Sequence, residues 1–128
     1  MIVKRAHHVS FGVADLARAK VFYGDRLGLR EIERPDFGVP GAWYRAGEVE
    51  LHLIAVPEGV EGTRAAPNLS PLVNHAAFEI DDYAAAVAEL EAEGVEVLPT
   101  SPAVGQLWIR DPDGNVIELI RPGGRLGR

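Results

Sequence analysis

The sequence predicts an α+β fold of two tandem βαβββ modules that pair into a curved, mostly antiparallel sheet around a central cavity. Three observations lead there. The order strand, helix, then three strands is written twice. Equivalent residues recur at an interval of about 66 positions, too long for a solenoid unit: His8 with His75, Phe11 with Phe78, Gly28 with Gly94, His52 with Glu118 and Leu53 with Leu119. Each copy also has an aspartate where a helix should begin and a glycine where it should stop. Two such copies would pair about a pseudo-twofold axis, each supplying half of one sheet.

Taken in order, Val3 to Val13 can form the first strand, with Val9, Phe11 and Val13 on one face and His8, Ser10 and Gly12 on the other. His7 should point away from His8. Asp15 stands as an N-cap for a helix from Leu16 to about Leu27. Leu16, Ala19, Phe22, Tyr23 and Leu27 form its apolar side, and Gly28 ends it. Leu29 to Arg34 reads as a strand stopped by Pro35, and the Gly/Pro-rich stretch to Gly41 as loop. Ala42 to Ala46 and Val49 to Val56 then make a hairpin turning at Gly47.

Residues 57–73, with three prolines, two glycines and little periodicity, are the expected linker between module one (about 1–56) and module two (about 74–121). Asn74 to Ile80 opens the second copy. Asp81 or Asp82 caps a helix with the stripe Tyr83, Val87 and Leu90, stopping at Gly94. Val95 to Leu98 is a strand, and Val104 to Arg110 with Asn115 to Arg121 a final hairpin across the turn Asp111-Pro112-Asp113-Gly114. Residues 122–128 are the expected tail.

The bulk composition narrows the function classes. A hydrophobic share of 47% with 25% charged residues is that of a soluble globular domain. No apolar run is long enough for a membrane span, and cysteine is absent, which removes disulfide and thiolate chemistry and fits the cytoplasm. The net charge of −6 argues against nucleic acid, which wants a basic face.

Chemistry is carried by four polar residues. Glu118 lies on a strand of aliphatic neighbours, where an unpaired acid is costly. Its partners by position in the repeat are His8 and His52, on the first and last strands of copy one, and His75, on the first strand of copy two, with Glu118 itself on the last. If that face is concave, three imidazoles and a carboxylate make an N/O site for a divalent ion such as Zn, Ni, Co, Mn or Fe. For any one histidine the competing reading is a half-buried ring bonded to backbone, but equivalent placement across a repeat has no reason under that reading. Trp43 and Trp108, each on a penultimate strand, are candidates to wall a substrate pocket, and equally candidates for core. Glu50, on the face of His52 and about 7 Å along its strand, is a candidate base, or a solvated charge at a strand start. Arg45 and Arg110 could contact an anion or face solvent.

The stretches HHVSFGVADLARAKVFYGDRLGL, NHAAFEID and DPDGNVIELI resemble the vicinal oxygen chelate superfamily, and the resemblance runs from about His7 to Ile120. That superfamily includes glyoxalase I, methylmalonyl-CoA epimerase, extradiol dioxygenases, and fosfomycin- and bleomycin-resistance proteins. The resemblance implies His8, His75 and Glu118 as metal ligands, with His52 at the most variable ligand position. It implies a metal-dependent lyase or isomerase that binds a small molecule through two vicinal oxygens and moves a proton, with Glu118 as a candidate base. It also leaves open an extradiol-type dioxygenase using two histidines and Glu118 on iron, and a non-catalytic drug-binding protein. Homodimers are implied as well, with the modules paired within one chain or exchanged between two.

Overall fold

A computed structural model describes residues 1–58, 60 and 69–123. Residues 59 and 61–68 of the expected linker and 124–128 of the expected tail lie outside the described residues. The chain divides into two compact units, Met1–Arg64 and Ala65–Arg128. Each is built on a four-stranded mixed sheet, giving the two-module α+β fold that the repeat predicts.

In the first unit the elements are β1 (His8–Val13), α1 (Leu16–Lys20), β2 (Arg30–Ile32), β3 (Gly41–Ala46) and β4 (Val49–Ala55). The strand order is β1-β4-β3-β2, with β1 parallel to β4 and the other pairings antiparallel. β1 starts at His8 instead of Val3 because its partner β4 begins only at Val49, after the turn; His8 is already opposite Glu50. Asp15 caps α1 as expected, its Oδ1 accepting from the Arg18 N–H at 3.1 Å. The helix does not run on as α to Leu27. Val21–Arg26 widens into π-helical turns, and the Leu27 N–H reaches the Phe22 carbonyl at 2.9 Å. Gly24 lies in that widened turn against the Tyr44 ring, where a Cβ would have only ordinary contact at 3.7 Å. The core behind the sheet joins Val13, Ala42, Tyr44, Leu51 and Leu53 to Ala19, Phe22 and Tyr23. Each fully buried large side chain contributes roughly 2 kcal/mol.

In the second unit the elements are β5 (His75–Glu79), α2 (Tyr83–Ala92), β6 (Leu98–Pro99), β7 (Gln106–Arg110) and β8 (Val116–Ile120), in the order β5-β8-β7-β6. Asp82 is the cap, accepting from the Ala85 N–H at 3.0 Å. Gly94, at φ 77°, closes the helix by letting the Val95 N–H turn back to the Leu90 carbonyl at 3.0 Å. That bond uses the residue expected to start the next strand, so β6 is only two residues long. Leu107, Ile109, Ile117 and Leu119 are buried, as are Tyr83 and Leu90 of α2. The Asp111 turn forms as expected: the Gly114 N–H bonds the Asp111 carbonyl at 3.0 Å, and the Asp111 carboxylate accepts from Asn115 at 2.8 Å through both its backbone and side-chain N–H.

The register repeats between the units. Ser10 faces His52 and Ala77 faces Glu118; Trp43 faces His52 and Trp108 faces Glu118. One fold-level device ties α2 to the backbone at the start of β7. The Tyr83 hydroxyl donates toward the carbonyls of Thr100 (2.8 Å) and Gln106 (3.0 Å) and accepts from the Thr100 N–H at 3.1 Å. It thereby fixes the start of β7. Tyr83→Phe is expected to lower unfolding free energy by about 1–2 kcal/mol, measured by chemical denaturation.

Candidate functional site

Period-two alternation puts the chemistry-bearing side chains of each unit on the sheet face opposite its helix-covered core. In the second unit that face carries His75 on β5, Glu118 on β8, and Gln106 and Trp108 on β7. Glu118 is 6% exposed and has both carboxylate oxygens occupied. Its Oε1 is 3.0 Å from His75 Nε2, and its Oε2 accepts from Gln106 Nε2 at 3.0 Å. The other nitrogen of His75, Nδ1, is 2.7 Å from the Val73 carbonyl.

This geometry constrains the protons. A carbonyl only accepts, so His75 Nδ1 must carry a hydrogen. In the neutral ring Nε2 is then a lone pair, and it faces a carboxylate oxygen that also only accepts. Two lone pairs at 3.0 Å repel. The contact becomes favourable when a proton lies between them, on either the ring or the carboxyl, or when a cation is taken up by Nε2 and the carboxylate together. A backbone carbonyl that fixes the tautomer of a ligating histidine is the usual support of a metal site. His75 Nε2 and the Glu118 carboxylate are thus two donors of the types a divalent ion takes, fewer than the three protein ligands of an open catalytic site.

In the first unit the corresponding face carries His8, Glu50, His52 and Trp43. His52 is buried between two flat partners: the Trp43 ring at 4.1 Å with planes 7° apart, and the His8 ring at 4.1 Å with planes 15° apart. Its Nε2 is 2.9 Å from Glu50 Oε1 and so donates to that carboxylate, whose Oε2 accepts from Arg45 at 3.0 Å. The hydrogen bond from His52, with Arg45 beyond it, holds the Glu50 carboxyl below its ordinary pKa. Partial desolvation, then the neighbouring His52 and His7 rings, lower the pKa of His8. His7 does not point away from His8: the two Nδ1 atoms are 2.8 Å apart, because His7 precedes the strand and is not bound by its alternation.

An imidazole ligates an ion lying in its own ring plane. Two rings stacked face to face have no such point in common, so His8 and His52 cannot both ligate one ion in this arrangement. Nε2 of His52 is moreover engaged by Glu50. Among the described residues no group of three or more His, Cys, Asp or Glu is clustered so as to hold a metal ion. The four sequence-derived candidates appear instead as two pairs, His8 with His52 and His75 with Glu118.

Of the remaining candidates, Trp43 is half-buried in the His52 stack and Trp108 is buried with its edge to His75, ring centroids 6.4 Å apart. Arg110 is paired with Glu96 at 2.7 Å, as Arg45 is with Glu50. Sequence reasoning passed over Gln106, which holds Glu118 Oε2. Its only signal was its place two residues before Trp108, on the same strand face. No helix among the described residues is long and apolar enough to cross a membrane.

With the geometry in hand, similarity to known proteins locates the chain. The family model of the Glyoxalase/Bleomycin resistance protein/Dioxygenase superfamily matches residues 5–119. The uncharacterized protein YaeR of Escherichia coli (strain K12) is 30% identical, over 91% of this chain and 95% of its own. Mitochondrial methylmalonyl-CoA epimerase of Mus musculus is 28% identical, over 90% of this chain and 71% of its own. The crystal structure of a glyoxalase/dioxygenase from Nostoc punctiforme superposes with a TM-score of 0.73 at 25% identity, over 92% of this chain and 90% of that one. The chain belongs to the glyoxalase/bleomycin resistance protein/dioxygenase superfamily.

Proposed function

We propose that the protein is a divalent-metal-dependent enzyme of the glyoxalase type, a lyase or isomerase that binds a small substrate through two vicinal oxygens and moves a proton. The observation that carries this reading is His75, fixed by the Val73 carbonyl so that Nε2 confronts the Glu118 carboxylate, two donors that a cation could take up together. His8, His75 and Glu118 are the proposed ligands. His52 takes a fourth position only if its ring leaves the stack between His8 and Trp43. Similarity to an epimerase favours the isomerase side of the reading.

A divalent ion held there would act as a Lewis acid, drawing negative charge onto two neighbouring substrate oxygens. Glu118 is the proposed base: one of its oxygens accepts the substrate C–H proton while Gln106 keeps the carboxylate oriented through Oε2. Glu50 suits that task less well, because His52 and Arg45 favour its ionised form and make it a weak proton acceptor. Its proposed work is to hold His52. Trp43 and Trp108 would wall the pocket.

The stacking of His8 on His52 favours one alternative, a two-histidine, one-glutamate set on iron, as in an extradiol-type dioxygenase. The identity of the bound ion separates the readings, since redox-active iron serves oxygenation and Zn, Ni or Co serves proton transfer. A drug-binding protein without catalysis is the reading left if no ion binds.

Elemental analysis of the reconstituted protein is expected to find about one divalent ion per chain, in keeping with a one-site donor set. Glu118→Ala is expected to lose 10–100-fold or more in ion affinity, roughly the effect of removing a supporting group or worse. Absence of any stoichiometric ion in the unaltered protein would overturn the enzyme reading. We further propose a cytoplasmic homodimer whose modules pair within or between chains. Size-exclusion chromatography with light scattering should give twice the chain mass at micromolar concentration, and a monomer would contradict it.

A further inference from the structure

Trp108 is 7% exposed, yet its indole Nε1–H has no hydrogen-bond partner among the described residues. Buried polar groups are nearly always paired in native proteins, so an orphan of this kind calls for a cause. Indole nitrogen donates and never accepts, so what is missing is an acceptor.

The place of the orphan narrows that acceptor. Trp108 lies directly across the β7–β8 ladder from Glu118 and on the same sheet face. Its ring meets the His75 ring at 89°. The other polar groups there are engaged: Gln106 Nε2 with Glu118 Oε2, Glu118 Oε1 with His75, and Arg110 with Glu96. Trp43, at the equivalent position of the first unit, differs. It is only half-buried, and its ring face is committed to the stack with His52. The repeat therefore places a tryptophan twice but leaves a buried unpaired donor beside only one of the two polar pairs.

We infer that Trp108 is a substrate-binding residue whose Nε1–H donates to an oxygen of the ligand bound beside His75 and Glu118. This deepens the metal-enzyme reading and rests on it. The ligand class that follows is a small molecule presenting an acceptor oxygen at that point (a ketone, enolate or carboxylate oxygen) and not an amine or other donor. A neutral donor fixed in a site of low dielectric also strengthens as negative charge grows on its acceptor, so the same N–H stabilises the enolate-like charge left by proton removal. A ligand without that oxygen leaves the donor unpaired and is discriminated against.

The test uses zinc-loaded protein labelled with 15N at tryptophan, with oxalate as a probe that offers two vicinal oxygens and two further acceptors. Trp108→Phe assigns the two indole N–H signals by removing one of them. The expected result is that oxalate moves the Trp108 Nε1–H resonance downfield and slows its exchange with water. In parallel, Trp108→Phe should take up zinc at the same stoichiometry but bind oxalate about tenfold or more weakly, the loss expected for one hydrogen bond to a charged acceptor. Zinc uptake and oxalate binding with an unmoved Trp108 signal, or oxalate affinity within about twofold of the unaltered protein, would overturn this inference alone. Failure of the unaltered protein to take up zinc would overturn the metal reading and this inference with it.

Discussion

The structure turns on one carboxylate. Glu118 sits on a strand whose neighbours Ile117 and Leu119 are buried, and burying an acid there is tolerable only with partners on both oxygens. His75 and Gln106 supply them. Much of the second unit serves that arrangement. The Asp111 turn sets the register of β7 against β8, Tyr83 and Thr100 pin the backbone of Gln106, and the Val73 carbonyl fixes the tautomer of His75. The result is a carboxylate oxygen and an imidazole nitrogen 3.0 Å apart, with a proton or a cation needed between them.

The first unit answers the same register with different chemistry. His52 takes the place of Glu118 and Trp43 that of Trp108. Here a neutral imidazole can donate to Glu50 and stack on both sides, so nothing in the pair demands a cation. The two copies thus differ in their polar face, an aromatic stack in one and an imidazole–carboxylate contact in the other.

Much of the fold was legible from the chain because the repeat is written in features that act locally. Asp15 and Asp82 cap, Gly28 and Gly94 release the helix ends, and period-two alternation separates His8, His52, His75 and Glu118 from the core. What escaped depends on partners that the local pattern does not show. The π-helical turn at Val21–Arg26 is a slip in backbone hydrogen bonding with no side-chain signature beyond a permissive Gly24. β6 is short because Val95 is spent on closing a helix. The stacking of His8 on His52 goes with the flat Trp43 ring on the other side of His52. Gln106 gave no sign of its role because an amide on a strand has no meaning until the carboxylate opposite it is known.

The central proposal, that the His75–Glu118 pair holds a divalent ion, is tested most directly by X-ray absorption on the zinc-loaded protein. The account predicts a shell of nitrogen and oxygen only, at about 2.0–2.1 Å, with outer scattering from the His75 imidazole. Loss of that imidazole in His75→Ala and of an oxygen donor in Glu118→Ala would complete the assignment. A shell without imidazole, or one unchanged by His75→Ala, would contradict it.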